Sequence, residues 1–457
     1  MKRALKKKIK YFSAFTAGVF FVISCLLPIT VKAAPSWPQA PEISAKAAIL
    51  MEASTGSILY EKEAQKTMFP ASTTKLMTVL LALERCPLTD TVVMTHEAVY
   101  SLERGATNVS MIEKEQITME DALYCILLAS ANEVAYAVGQ HVAGGDIDDF
   151  VDMMNEKSKE LGCVNSHYSN PHGLHQDGHY SCAYDLALVM KECLRYPSFT
   201  RISNNNYYKP PATNLRAERY PLAQTHEILR RNITYNGVFA GKTGHTDEAG
   251  YCLVTAAERD GMTLICVIMG EDVSKDAYTN TMSLFDYGFG NFEKVVLSSK
   301  DEVKNAFPVL FDDREAFVHK VKTNLSISDT TLVLPKGAKT SDITNRSTLT
   351  QLLEMQEGQN VLGEAVFSYA GREVGRADVI FTGDAYQIID AAELYLRDFG
   401  GTDEFDERQY MILAGTLVEE EDKIPDLRPA IIGYIIGIIV LVIGTVILVK
   451  IYVKNRR

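Results

Sequence analysis

The sequence predicts an α+β molecule in two folded parts: a larger one, with a single sheet closed by both ends of its segment and covered by helices, and a smaller β domain. Three observations carry this. Largely apolar runs at residues 47–51 and 57–60, around Thr55-Gly56, and at 251–257 and 263–269, around Arg259-Asp260-Gly261, read as two hairpins. Helical patterns fill the stretch between them, so the two ends supply strands and the middle supplies covering helices. From about Val296 the texture changes to short β-rich stretches, and 457 residues exceed what one hydrophobic core usually holds.

Taken in order, the chain opens with a basic segment (Lys2, Arg3, Lys6, Lys7, Lys8, Lys10), an apolar run over 12–29, and small residues flanking a cleavage point after Ala33. This is the pattern of a secretory signal over residues 1–33, with an uncleaved N-terminal anchor as the alternative. After the first hairpin, Pro70 opens a helix in which Leu76, Met77, Val79, Leu80, Leu81 and Leu83 leave little polar face, so it belongs in the core. Thr118 with Asp121 resembles a capping box ahead of an apolar helix over 122–128. Residues 146–161 form an amphipathic surface helix, Asn170-Pro171-His172-Gly173 punctuates a long loop, and 275–288 is helical. The larger part, residues 34–295, is followed by a small β domain over 296–384, with strands expected at 316–322, 330–334, 360–369 and 373–381. Residues 385–429 have helical potential near 386–396 and end as an acidic linker at Glu419-Glu420-Glu421-Asp422. Residues 430–449 carry no charge and are followed by a tail, 450–457, containing Lys450, Lys454, Arg456 and Arg457. That pattern predicts a single transmembrane helix with the tail in the cytoplasm and the body outside it, at the cell membrane.

Seven of the 46 Lys and Arg residues lie in the signal and four in the terminal tail, where there are no acids, so the exported body carries a net charge of about −23. Such a balance argues against nucleic acid or anionic lipid as the partner of the folded part. Seven cysteines follow Cys25 with no C-x-x-C spacing, and Cys125, Cys252 and Cys266 sit in apolar runs as small core residues.

Three short patterns follow one another: Ser72-Thr73-Thr74-Lys75, Ser130-Ala131-Asn132 and Lys242-Thr243-Gly244. Each alone is weak, and Ser72 alone reads as a helix cap; in this order they resemble the active-site serine penicillin-recognising enzymes. Positions three apart share a helix face, so Lys75 can set its amine beside the Ser72 hydroxyl, where burial lowers its pKa and frees it to act as a base. The start of that helix offers unpaired N–H groups, Ser72's included, to an oxyanion. Ser130 and Asn132, two apart, do not share a helix face and should lie at a break between helices. There Ser130 can relay a proton to a leaving nitrogen and the Asn132 amide can hold a substrate backbone. If Lys242-Thr243-Gly244 forms a sheet edge, an extended peptide can add to it as a strand, with Lys242 and Thr243 on its carboxylate. Gly244 would keep the cleft open and the His245 N–H could be a second oxyanion donor, the imidazole itself being ordinary.

The Ser-Ala-Asn form of the second motif narrows the likeness, together with the run from Lys242-Thr243-Gly244-His245 to Gly250-Tyr251-Cys252-Leu253 and Asn170-Pro171-His172-Gly173-Leu174. The segment over about 47–293 resembles low-molecular-weight penicillin-binding proteins of the D-alanyl-D-alanine carboxypeptidase family. The resemblance implies a β-lactamase/DD-peptidase-like fold, one antiparallel sheet flanked by helices. It also implies cleavage of the terminal D-alanine from peptidoglycan stem pentapeptides through an acyl-enzyme on Ser72. By the same resemblance β-lactams acylate Ser72 and the role is in cell-wall biogenesis, and no metal or organic cofactor is implied. Where many relatives attach by an amphipathic helix, residues 430–449 read as a full span. A class A β-lactamase would add a glutamate in an E-x-x-L-N loop, and the loop at 174–184 offers only Asp177, which reads as a turn residue. A transglycosylase-linked transpeptidase would need another catalytic domain ahead of Ser72. A membrane-bound β-lactam sensor or wall-binding module is the non-enzymatic alternative.

Overall fold

A computed structural model of the chain describes residues 36–103, 105–297, 309–311, 314–319, 324–349, 358–383 and 387–390. The strands in chain order are β1 (Ala47–Glu52), β2 (Ile58–Lys62), β3 (Thr91–Val93), β4 (Gln116–Thr118), β5 (Tyr207–Tyr208), β6 (Leu222–Ala223), β7 (Val238–Thr246), β8 (Gly250–Arg259) and β9 (Met262–Glu271). Then come β10 (Phe292–Leu297), β11 (Val309–Phe311), β12 (Arg314–His319), β13 (Asn324–Ile327), β14 (Thr330–Pro335), β15 (Ile343–Leu349), β16 (Gly358–Tyr369), β17 (Arg372–Gly383) and β18 (Gln387–Asp390). The α-helices are α1 (Lys75–Arg85), α2 (His96–Tyr100), α3 (Met119–Ala129), α4 (Asn132–Val142), α5 (Ile147–Glu160), α6 (Ala183–Cys193), α7 (Pro197–Ser203) and α8 (Ser274–Asn291).

The two hairpins expected from the sequence meet in one five-stranded antiparallel sheet of order β2-β1-β9-β8-β7. The chain ends of the larger part thus lie side by side, β1 against β9 from Ala47↔Met269 to Glu52↔Leu264. Every residue of β1 is buried, because the sheet is covered on both faces and alternate side chains serve different cores. Ile49, Met51, Val254, Ala256, Ile265 and Val267 face a core built with α1, α3, α4, α5 and α6. Leu50, Leu253, Leu264, Cys266 and Ile268 face a second core with Phe285 of α8. Strand β7 forms one edge of this sheet.

Helices α3, α5 and α8 fall where the sequence places them, and Thr118 caps α3 by accepting the Asp121 N–H at 3.1 Å. After α8 the chain enters β-structure. β10 pairs with β14, and a seven-stranded sheet runs β13-β17-β16-β15-β11-β12-β18. One expectation fails here. Helical potential near residues 386–396 is not realised over β18, which is extended and pairs Phe317↔Ile389 and Val318↔Ile388 with β12. The β-branched pair Ile388-Ile389 suits a strand, and the free edge of β12 supplies backbone partners that outweigh the local pattern.

All seven cysteines of the described residues carry free thiols, Cys125, Cys182, Cys193, Cys252 and Cys266 being buried. Among the described residues no helix is long and apolar enough to cross a membrane. The expected signal at 1–33, most of the linker over 385–429, the span at 430–449 and the tail at 450–457 lie outside the described residues.

Candidate active site

Ser72 does not sit in an α-helix. Pro70 leads into a 3-10 turn, Ala71–Thr74, and α1 begins only at Lys75. In a 3-10 turn residues three apart eclipse one another, so the Ser-x-x-Lys spacing aligns the two side chains more closely than an α-helix would. Lys75 Nζ lies 2.8 Å from Ser72 Oγ. Ala71 holds a left-handed backbone, φ +47°, which turns the chain into the site just ahead of Ser72.

Lys75 is fully buried, and two more oxygens meet its amine: Asn132 Oδ1 at 2.6 Å and the His172 carbonyl at 2.6 Å. Burial first, and then the nearby Lys242 cation, hold its pKa well below that of an ordinary lysine, while Glu133 pulls the other way. Ser130 and Asn132 lie at the expected break. Ser130 closes α3 in the left-handed region at φ +58°, and Asn132 opens α4. The turn sends both side chains to the same buried place, with Ser130 Oγ accepting from Lys242 Nζ at 3.0 Å.

Lys242, Thr243, Gly244 and His245 lie on the edge strand β7, as the sequence reading required. Lys242 is fully buried and also donates to the Thr243 carbonyl at 2.8 Å; burial brings its pKa down to about 7. Thr243 Oγ1 is 2.9 Å from Thr225 Oγ1. Gly244 passes so close to the 3-10 turn that an added Cβ would stand 3.0 Å from the Pro70 carbonyl oxygen and 3.1 Å from the Ser72 and Thr73 nitrogens. The His245 side chain is exposed and its ring lies 4.2 Å from that of Tyr251. Asp177 sits in an exposed turn.

Sequence reasoning missed the floor of the site. Asn170 Oδ1 accepts the Gly173 N–H at 2.7 Å and folds the Asn-Pro-His-Gly stretch into a tight turn. The turn aims two carbonyls at α1, that of Pro171 at Thr78 Oγ1 (2.6 Å) and that of His172 at Lys75. Gly173, at φ +83°, presses on Ala71, where a Cβ would come within 1.9 Å of the carbonyl oxygen. His179 Nε2 contacts Thr74 Oγ1 at 2.8 Å, and burial lowers that imidazole's pKa to about 4. The signal was the Asn-Pro-His-Gly turn itself, visible in the sequence without a partner. Glu133 was also missed: buried, it accepts the Val109 N–H at 2.6 Å and ties the loop before α3 to α4.

Five polar side chains from five parts of the fold thus converge in two groups, Ser72·Lys75·Asn132 and Ser130·Lys242. Amines, hydroxyls and an amide of this kind suit carbonyl and carboxylate oxygens better than a metal ion. A family model described as D-alanyl-D-alanine carboxypeptidase matches residues 34–273. The chain belongs to the D-alanyl-D-alanine carboxypeptidase family. Within it, the chain is 34% identical over 263 residues to DacF of Bacillus subtilis, across 56% of this chain and 65% of that protein. It is 28% identical over 377 residues to DacC of Escherichia coli, across 80% of this chain and 89% of that one. Penicillin binding protein 5 from Haemophilus influenzae has a similar structure, with a TM-score of 0.61 and 26% identity, covering 76% of this chain and 99% of that one. Family membership makes the protein a serine-type peptidase, and a role in building the cell wall is consistent with it.

Proposed function

We propose that Ser72 attacks the carbonyl between the last two D-alanines of a peptidoglycan stem pentapeptide, forming an acyl-enzyme and releasing free D-alanine. The observation that carries this reading is the Lys75 amine, fully buried and in contact with three oxygens. A neutral amine has two N–H donors and one lone pair. Donating to Asn132 Oδ1 and the His172 carbonyl leaves the lone pair for the Ser72 hydroxyl, the arrangement a general base needs. As Ser72 bonds to the carbonyl carbon its proton passes to Lys75. Ser130, bridged to Lys242, is placed to pass a proton to the departing amine nitrogen, and the broken C–N bond frees D-alanine. Water then repeats the attack and regenerates Ser72.

The substrate lies as an added strand along β7, its carboxylate near Lys242 and Thr243, its backbone amide near Asn132, with Gly244 clearing its path. The Ser72 and His245 N–H groups stabilise the oxyanion. β-Lactams would acylate the same oxygen. Residues 430–449, uncharged and followed by a basic tail, support a single-pass anchor that holds the site on the outer side of the membrane.

The test uses the full-length chain beside Ser72→Ala. Release of D-alanine from a pentapeptide ending in D-Ala-D-Ala, abolished in the variant, is the expected result. No release from folded protein that still binds labelled penicillin would favour a sensor or wall-binding role.

A further inference from the structure

Helices α1 and α4 pack together and start with Lys75 and Asn132, whose side chains meet in the cleft. Eleven residues further on, about 16 Å along the helix axes, the same pair ends beside a second polar group. Cys86 caps α1, its N–H donating to the Ala82 carbonyl at 3.0 Å, and His141 lies in the last turn of α4. Asp90 is brought back between them by a turn in which its N–H donates to the Pro87 carbonyl at 3.1 Å. Its own carbonyl accepts the Met119 N–H at 2.7 Å. One donor atom from each of Cys86, Asp90 and His141 lies within 4.8 Å of the others, and His141 Nε2 is 3.3 Å from Asp90 Oδ2.

We propose that Cys86, Asp90 and His141 form a binding site for a divalent transition-metal ion of the zinc class, which clamps the far ends of the two helices that carry the catalytic lysine and asparagine. A tetrahedral ion with bonds of about 2.0–2.3 Å sets its donors about 3.3–3.8 Å apart, so the group needs only a small contraction to close around it. Thiolate, imidazole and carboxylate together select zinc, cobalt or nickel over magnesium or calcium. The charges close as well: one thiolate and one carboxylate balance the dication, with His141 neutral. All three residues are half-buried, so the fourth position opens to water, as in sites with three protein ligands. On binding, the Cys86 S–H bond breaks, the S–metal bond forms, and the proton leaves to solvent.

The competing account is an ion pair between Asp90 and protonated His141 with Cys86 as a bystander. Cobalt(II) titration of the metal-stripped full-length chain separates the two. The expected result is a thiolate-to-cobalt charge-transfer absorption saturating at one equivalent, with proton release on binding, and its loss on adding zinc. Cys86→Ser should abolish the absorption, whereas Cys163→Ser, at the other half-buried thiol, should leave it. His141→Ala should weaken binding by at least about 100-fold, more than the loss of a group behind a ligand costs; it also carries the test if Cys86→Ser fails to fold. Absence of the absorption in the unmodified protein, its survival in Cys86→Ser, or unchanged affinity in His141→Ala would overturn the proposal.

Discussion

At the scale of single residues, two fully buried lysines dominate the site, and their charges oppose each other. Lys75 must lose its proton to act as base, while Lys242 serves a carboxylate best when charged. The free enzyme should therefore show a bell-shaped dependence of kcat/KM on pH, with an alkaline limb near pH 7, the value to which burial brings Lys242. The acid limb belongs to Lys75. Since the Lys242 cation helps to lower the Lys75 pKa, Lys242→Gln should move the acid limb to higher pH, measured as the rate of labelled-penicillin acylation. Lys75→Arg keeps a cation that cannot lose its proton at working pH, so acylation should fall by about 10²–10⁴. Stability carries the same signature. Between pH 7 and 10.5 the unfolded chain holds a proton that folded Lys242 has lost, so stability rises with pH across that window. Denaturant midpoints for the wild type should climb through it, and those of Lys242→Met should climb less.

At the scale of elements, turns rather than helix bodies place the reacting groups. The 3-10 turn, the left-handed Ser130 and the Asn170–Gly173 turn each put a side chain or carbonyl where a continuous helix could not. Gly173→Ala would drive a methyl against the Ala71 carbonyl in a backbone region hostile to L-residues, moving the His172 carbonyl off Lys75. Acylation should fall at least about tenfold, together with a loss of about 1–3 kcal/mol in stability. Thr118→Ala is the contrasting case. It removes a helix cap remote from the cleft and should cost about 1 kcal/mol in urea unfolding with acylation unchanged. The same division explains what could be read in advance. Ser72, Lys75, Ser130, Asn132 and Lys242 stood out because each lies in a short motif whose spacing carries meaning. His172 and Thr225 contribute through a carbonyl and a hydroxyl brought in from distant turns, a contact no local spacing encodes. The strand at 387–390 failed for a related reason, since its conformation is set by the free edge of β12.

At the scale of the molecule, the join between the α/β part and the β-rich part is continuous. β10 pairs with β14 along six residues, and Phe292 and Val333 belong to the same core as α8. Trp37, the single tryptophan of the chain, lies at this join. Its ring is 5.0 Å from Phe292 and 5.1 Å from the Arg372 guanidinium, and its Nε1 donates to the Leu59 carbonyl at 3.2 Å. Tryptophan emission and far-ultraviolet circular dichroism should therefore report one coincident unfolding transition. Phe292→Ala, at a fully buried ring, should lower stability by about 3–5 kcal/mol and draw the two signals apart.

The free thiols bear on how the protein is handled outside the cell that makes it. Among the described residues the fold rests on no covalent cross-link, so this part of the chain needs no oxidant to reach it. Air is the hazard instead. Heating without a reductant would expose the five buried thiols beside the two half-buried ones, and random pairing among them would trap unfolded chains before they could return. Recovery after a heating scan should thus depend on dithiothreitol far more than on the rate of cooling.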